Sequence, residues 1–516
     1  MKKAHFLWVD DEIDLLKPYI LFLEEKGYSV DCANNGNDAL EMCRLSPYDL
    51  IFMDEHMPGL TGLETLSALH TFRPDIPVVM ITKSEDEGIM NKAIGKKIAD
   101  YLIKPVKPNQ ILITIKKLLD QKEIISETAT VDYRGEFNKL SEDIGRADSA
   151  TEWTAIYKKI VFWEMEFARS QHPMQEFVMR QKEEAGKAFG KFIKRHYEAW
   201  INGNDPSRPL MSPQLLEQQV FPLIDRGEKV FLILIDNFRL DQWLAIKDVA
   251  TEHFLYTEQE YFSILPTATQ YARNSLFAGM LPNRIAADMP QYWVEESEET
   301  GKNLHEADLL AALLSRLGRK GSFSYTKINL HQEGERFATG FSGRELCDLT
   351  VGVFNFIDML SHARTESKML RELASDEAAY RSLTRSWFLH SSLPSLLSKI
   401  AGKGGTVVLT TDHGTIRVKH PQKVTADKQT NANLRYKAGK NLAYDPKKVF
   451  SVTHPESIGL PSPNVSTRYI FAVDNDFFAY PNNFNHFASY YENTFQHGGI
   501  SMEEMIVPLI TLHPKQ

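Results

Sequence analysis

Short apolar runs that end on acidic or hydroxyl residues recur along this chain, and few architectures accommodate them. In the first 120 residues the runs are His5-Phe6-Leu7-Trp8-Val9, Ser29-Val30-Asp31-Cys32-Ala33, Leu50-Ile51-Phe52-Met53, Pro77-Val78-Val79-Met80-Ile81 and Asp100-Tyr101-Leu102-Ile103, with helical patterns between them. Alternating strands and helices predict a doubly wound parallel sheet, with functional residues gathered at the strands' carboxyl edge. Asp10 and Asp11 follow the first run, Asp54 the third, Thr82 the fourth and Lys104 the fifth.

Clustered carboxylates at one sheet edge can hold a hard Mg2+ ion, which would neutralise an incoming phosphoryl group attacked by Asp54. Thr82 would then hydrogen-bond the new phosphate and Lys104 would pair with it. Through Leu7-Trp8-Val9-Asp10-Asp11-Glu12, Met53-Asp54-Glu55-His56-Met57-Pro58-Gly59 and Tyr101-Leu102-Ile103-Lys104-Pro105, residues 4–120 resemble the receiver domain of bacterial response regulators. The resemblance implies a flavodoxin-like fold and Asp54 as phosphoacceptor. It also implies Mg2+ at Asp11, Asp54 and the His56 carbonyl with Asp10 beside them, and Tyr101 as the aromatic switch. Lys83 departs from the pattern, because receivers usually carry a small residue beside the switch threonine.

From 121 to 205 the strand signal is lost. Trp153, Ile156, Tyr157 and Ile160 fall at helical spacing, and Phe189, Phe192, Ile193, His196, Tyr197 and Trp200 repeat it. About three helices are expected there, with the aromatic stripes as core and His196 as a packed histidine. The turn formers Asn202-Gly203-Asn204-Asp205-Pro206-Ser207 mark a boundary. The domains are therefore expected at 1–120, 121–205 and 206–516.

Beyond the boundary, strand and helix patterns alternate again. The clearest strands are Lys229–Ile235, Thr406–Thr410 and Tyr469–Val473, whose continuous apolar character suits a large α/β sheet. Asp236 closes the first, and Asp412-His413-Gly414 follows the second, supplying ligand types that zinc prefers. Asp358 and His362 stand one helical turn apart and can reach one ion together. His497 lies in the glycine-rich Gln496-His497-Gly498-Gly499, and Thr269 in Pro266-Thr267-Ala268-Thr269.

The order Asp236, Thr269, Asp358, His362, Asp412, His413, His497 resembles the alkaline phosphatase superfamily, in particular its nucleotide pyrophosphatase and phosphodiesterase branch and the PglZ family. The resemblance implies one zinc at Asp236, Thr269, Asp412 and His413 and a second at Asp358, His362 and His497. Thr269 would be the nucleophile, with Thr267 as its rival. Asn274, Asn283, Arg284 and Arg273 are the candidates for binding an equatorial phosphate oxygen.

Charge and cysteine usage narrow the setting. With 59 Lys and Arg against 68 Asp and Glu the net charge is -9, which argues against general coating of nucleic acid or membrane. Between Arg417 and Lys448, however, nine basic residues stand against two acidic ones, leaving +7. Arg435, Lys437 and Lys440 in that stretch are expected to steer a polyanionic nucleotide or oligonucleotide substrate. Three cysteines in no ligand spacing suggest neither a disulfide framework nor a cysteine metal site. No signal peptide and no membrane span are expected, and a cytoplasmic location follows.

Taken together, receiver, helical middle and phosphatase-like domain resemble response regulators associated with type IX secretion. That implies a sensor histidine kinase partner, a sigma factor or secretion component downstream, and a phosphorylation-induced homodimer. The rival expectation is a phosphorylation-dependent scaffold with little catalysis.

Overall fold

The computed structural model describes residues 4–73, 76–82, 98–115, 118, 121–170, 174–296, 298, 301–340, 347–426 and 430–515; Lys83 lies outside them. Two compact units emerge, residues 1–132 and 133–516.

The first unit contains five parallel strands, β1 (His5–Val9), β2 (Ser29–Ala33), β3 (Leu50–Asp54), β4 (Val78–Thr82) and β5 (Asp100–Ile103), in the order β2-β1-β3-β4-β5. Alternate side chains of one strand feed two separate cores. Leu7, Val9, Ile51, Met53 and Met80 belong to one core, and Phe6, Trp8, Leu50, Phe52 and Ile81 to the other. Burial on both faces explains why these runs are apolar throughout rather than alternating. Asp54 and Thr82 are the last residues of β3 and β4, so the sheet's twist and register bring them to one edge.

Three long helices, Gln121–Arg146, Ala150–Ser170 and Gln175–Ile201, occupy the middle stretch. Their aromatic stripes are core: Trp153 packs 5.5 Å from Phe189 and 5.9 Å from Phe192. His196 lies 4.7 Å from the Phe192 ring and pairs with Asp148, as expected of a packed histidine. By contacts, the chain from Tyr133 onward belongs to the same unit as the C-terminal α/β domain.

That domain is built on a six-stranded sheet. β6 (Val230–Ile235), β7 (Phe254–Phe262), β8 (Phe323–Ile328), β9 (Leu349–Phe354), β10 (Thr406–Thr410) and a C-terminal strand (Ile506–Pro514) are ordered β7, C-terminal strand, β10, β6, β9, β8. The last four of that order run parallel, so β6 and β10 are neighbours and end at the same edge. The run at Tyr469 does not join this sheet. Strand Arg468–Ala472 instead lies between Tyr436–Gly439 and Val449–Val452 in a small antiparallel sheet, packed by its own apolar cluster. An apolar run specifies burial on both faces but not which sheet supplies it.

Buried ion pairs join the helices to this domain. Glu164 on Ala150–Ser170 meets Lys182 at 2.9 Å and Arg381 at 2.9 Å, Lys182 also meets Glu503 at 2.9 Å, and Arg381 meets Asp241 at 3.1 Å. Arg381→Ala would take one cationic partner from each of two buried carboxylates, leaving Glu164 with Lys182 and Asp241 with Arg239, and should lower unfolding free energy by about 1–3 kcal/mol in denaturant titrations. An unchanged midpoint would show that the network carries no such strain.

Candidate functional site

At the receiver edge, Asp10, Asp11 and Asp54 present carboxylate oxygens within 4.8 Å of one another. Lys104 reaches Asp10 at 2.8 Å and Asp54 at 2.9 Å. Burial pushes the Asp54 carboxyl above its ordinary value, although Lys104 pulls it the other way. Three carboxylates against one lysine leave negative charge for a hard cation, so this oxygen-only cluster fits Mg2+. Thr82 is fully buried at the end of β4, Tyr101 is half-buried on β5, and His56 is exposed on the loop after β3.

The second unit gathers all seven of its expected ligands. Asp236, Asp412 and His413 form one cluster, and Asp358, His362 and His497 the other, each with ligand atoms within 4.8 Å. The two meet through stacked imidazoles, with His413 and His497 ring centroids 4.3 Å apart.

Local structure explains each placement. Asp236 and Asp412 follow β6 and β10 at their carboxyl ends, and both are buried. Gly414 lets the chain pass close against residue 503, because a Cβ there would stand 2.0 Å from the Glu503 carbonyl oxygen. Asp358 and His362 share helix Phe356–Glu366, with Asp358 Oδ1 3.5 Å from His497 Nε2. Thr269 opens helix Thr269–Ala278, and its Oγ1 lies 3.2 Å from His413 Nε2.

Hydrogen bonds set the imidazoles for ligation. His413 Nδ1 faces the Gly414 carbonyl at 3.1 Å and His497 Nδ1 faces the Thr267 carbonyl at 3.1 Å. If each Nδ1–H donates there, each Nε2 keeps its lone pair for the site. Burial, reinforced by His413, lowers the His497 pKa to about 3, so that ring is neutral. Asp236 Oδ1 is buried without a hydrogen-bond partner among the described residues, an orphaned acceptor facing His413 Nε2 at 3.9 Å. Imidazole nitrogens with carboxylate oxygens suit divalent ions of zinc type.

Two further residues complete the geometry: Arg273, expected as a phosphate-oxygen binder, and Asn237, which the sequence did not single out. Arg273, on the helix that Thr269 opens, pairs with Asp236 Oδ2 and with Asp412 Oδ2 at 3.0 Å. Burial pushes Asp236 up despite that guanidinium. Burial would raise Asp412 too, but Arg273, His413 and backbone donors outweigh it and hold Asp412 low. Arg273 is 1% exposed, so its guanidinium is committed to these carboxylates and not to a substrate oxygen. Asn237 adopts φ +62° directly after Asp236, donates from Nδ2 to Asp358 Oδ1 at 3.2 Å, and donates its backbone N–H to Asp412 at 3.4 Å. The only sequence signal for it was asparagine, which tolerates left-handed backbone, directly after a strand-terminal acid.

Thr267 is buried, and its hydroxyl donates to the Gly499 carbonyl at 2.9 Å and accepts from Gly498 N–H at 3.0 Å. Thr269, by contrast, is half-buried at the clusters.

Other expectations need correction. Arg435 is fully buried, with Nη2 2.6 Å and Nε 3.1 Å from the Glu504 carboxylate. Lys437 is buried as well, bonds the Asn431 carbonyl at 2.9 Å, and burial lowers its pKa to about 8. Neither can steer a polyanion, because both heads are enclosed in the small sheet's surroundings; Lys440 alone of the three is exposed. Arg284 is exposed and pairs with Asp288 at 2.8 Å, Asn283 caps against Gly459, and Asn274 reaches the Lys302 carbonyl at 3.4 Å. None of these three is tied to the ligand clusters.

Comparisons with known proteins agree with this layout. Residues 6–116 match the response regulator receiver domain, residues 123–201 the PorX response regulator linker domain, and residues 215–512 the BREX system PglZ alkaline phosphatase-like domain. Among curated proteins, the chain is 30% identical over 187 residues to the uncharacterized transcriptional regulatory protein YkoG of Bacillus subtilis, covering 35% of this chain and 78% of that one. It is 30% identical over 141 residues to the transcriptional regulatory protein ZraR of Klebsiella oxytoca, covering 27% of this chain and 32% of that one. The chemotaxis protein CheY4 of Vibrio cholerae is a similar solved structure at 28% identity, with 23% of this chain and 99% of that chain covered and a TM-score of 0.22. A receiver, which implies a cognate sensor kinase, is followed here by a linker and a phosphoesterase-type domain. In that order they make this chain a PorX-type response regulator that belongs to the PglZ alkaline phosphatase-like family.

Proposed function

We propose that this protein is a response regulator phosphorylated on Asp54 whose C-terminal domain is a two-zinc phosphodiesterase acting on nucleotide or oligonucleotide phosphodiesters. The observation that carries the reading is the half-buried Thr269 hydroxyl lying beside two facing ligand clusters. Asp236, Thr269, Asp412 and His413 would hold one ion, and Asp358, His362 and His497 the other. In the receiver, Mg2+ would sit at Asp11, Asp54 and the His56 carbonyl, with Asp10 beside it. Domain limits near residues 120 and 205, a cytoplasmic location, a role in type IX secretion with a sigma factor or secretion component downstream, and dimerisation on phosphorylation belong to the same reading. A pure scaffold would have no need of an orphaned Asp236 oxygen or of stacked imidazoles joining two carboxylate clusters.

When bound, the two ions would supply Lewis-acid stabilisation of the attacking and departing oxygens. The chain's own groups do the rest. Thr269 is the nucleophile: it stands at a helix N-terminus, where the backbone dipoles favour negative charge growing on Oγ1. Its Oγ1 stands 3.2 Å from His413 Nε2. Arg273 orients the first cluster from beneath, and Asn237 holds Asp358 in line with it. Thr267 fixes the His497 loop by its hydroxyl and carbonyl.

Acetyl phosphate with Mg2+ should add one phosphoryl group per chain by intact mass and shift the protein from monomer to dimer in sedimentation. Uptake by an Asp54→Ala protein would sink the receiver assignment. Bis(p-nitrophenyl) phosphate should be hydrolysed, with loss on chelation, recovery on adding Zn2+, and a drop of about a hundredfold or more in Thr269→Ala. Full turnover by a protein carrying both Asp412→Ala and His413→Ala would refute the ion-binding reading.

A further inference from the structure

A cavity of about 180 Å3 lies beside the helix that Thr269 opens, lined by Tyr271, Trp293, Glu295, Glu296, Lys440 and Tyr469 among others. This is smaller than the roughly 300–1,000 Å3 that encloses a drug-sized ligand, and suits a single ring system. Two links tie it to that helix. Tyr271 lies two residues after Thr269, on a different face of the same helix, and Gln270 Nε2 donates to the Val294 carbonyl, holding the Trp293–Glu296 segment against it. Tyr436, whose ring lies 5.9 Å from that of Tyr271, packs against Gly498 beside His497; a Cβ on Gly498 would stand 2.6 Å from that ring.

The lining has a definite chemistry. Tyr271, Trp293 and Tyr469 supply aromatic surface, with the Trp293 and Tyr271 rings edge to face at 5.5 Å. Trp293 is 9% exposed, and its Nε1–H has no hydrogen-bond partner among the described residues. Glu296 is engaged, accepting from the Tyr436 hydroxyl at 2.7 Å and pairing with Lys302 at 3.5 Å. Glu295 is exposed at the cavity, where partial burial and Glu296 push its carboxyl up.

We infer that this cavity is a nucleobase subsite that selects guanine, with Glu295 accepting from the ring N–H and the exocyclic amine and Trp293 Nε1–H donating to an acceptor of the base. The inference rests on the phosphodiesterase reading and names a base of its substrate. Aromatic surface holds the ring plane whatever the base. Selection comes from the carboxylate: guanine turns two donors towards it, whereas adenine places a ring-nitrogen acceptor beside its amine. An organic ammonium fits less well. Lys440 puts a positive charge in the same lining, Lys302 pairs with Glu296, and an ammonium offers no acceptor for the unpartnered Trp293 donor.

Binding of GMP, AMP and choline to the full chain, followed by calorimetry, tests this. GMP should bind about tenfold more tightly than AMP, and Glu295→Gln should erase that preference. Trp293→Phe, which keeps an aromatic ring but removes the N–H together with the pyrrole half of the indole, should weaken GMP by severalfold. Equal GMP and AMP affinities, tighter choline binding, or an unaltered preference in Glu295→Gln would each overturn the subsite. Turnover of bis(p-nitrophenyl) phosphate is scored separately: GMP preference without turnover would defeat the phosphodiesterase reading while leaving the subsite standing.

Discussion

Two carboxylates from adjacent parallel strands are buried side by side, and the arrangement holds only because a guanidinium lies between them. Asp236 and Asp412 would repel in a low-dielectric interior, and burying either without compensation would be costly. Arg273 touches both. Because it comes from the helix that begins at Thr269, the ion pairs that stabilise the strand ends also set the rotation of that helix. Sheet edge, ligand pair and hydroxyl are thus one mechanical object.

A second set of buried charges extends this object to the middle helices. Arg239 stands three residues beyond Asp236 and pairs with Asp241 at 2.7 Å and Glu377 at 2.6 Å, and Asp241 in turn meets Arg381, which reaches Glu164 on helix Ala150–Ser170. Glu503 closes the circuit: its side chain takes Lys182, while its backbone carbonyl packs against Gly414 directly after His413. Such pairs are sensitive to loss of any member, since each removal leaves a buried charge uncompensated. The helical region and the ligand-bearing turns are therefore energetically joined.

What could be read from the sequence was whatever depends on periodicity and on residue type at strand ends. Apolar runs ending on acids located Asp54, Asp236 and Asp412, since strand direction alone delivers such residues to one edge. Asn237 was not legible, because its role depends on a left-handed backbone angle that positions its amide between two ligands. Arg435 and Lys437 were misread because a tally of charges carries no information about which side of a strand a basic residue faces. The strand at Tyr469 was identified as a strand but assigned to the wrong sheet, since pairing depends on long-range register rather than composition. Thr269 was preferred to Thr267 on the Pro-Thr-x-Thr pattern, whereas the hydrogen bonds that occupy the Thr267 hydroxyl could not be read from it.

That occupied hydroxyl has its own consequence. Thr267 grips the His497 loop through its carbonyl and its side chain, and Thr269 is only two residues away. The separation between the Thr269 hydroxyl and the His497 loop is thereby governed by a few covalent bonds of one short segment, and not by how the large sheet breathes. A disturbance that bends the sheet should move both ends of the site together, preserving their spacing while it alters access.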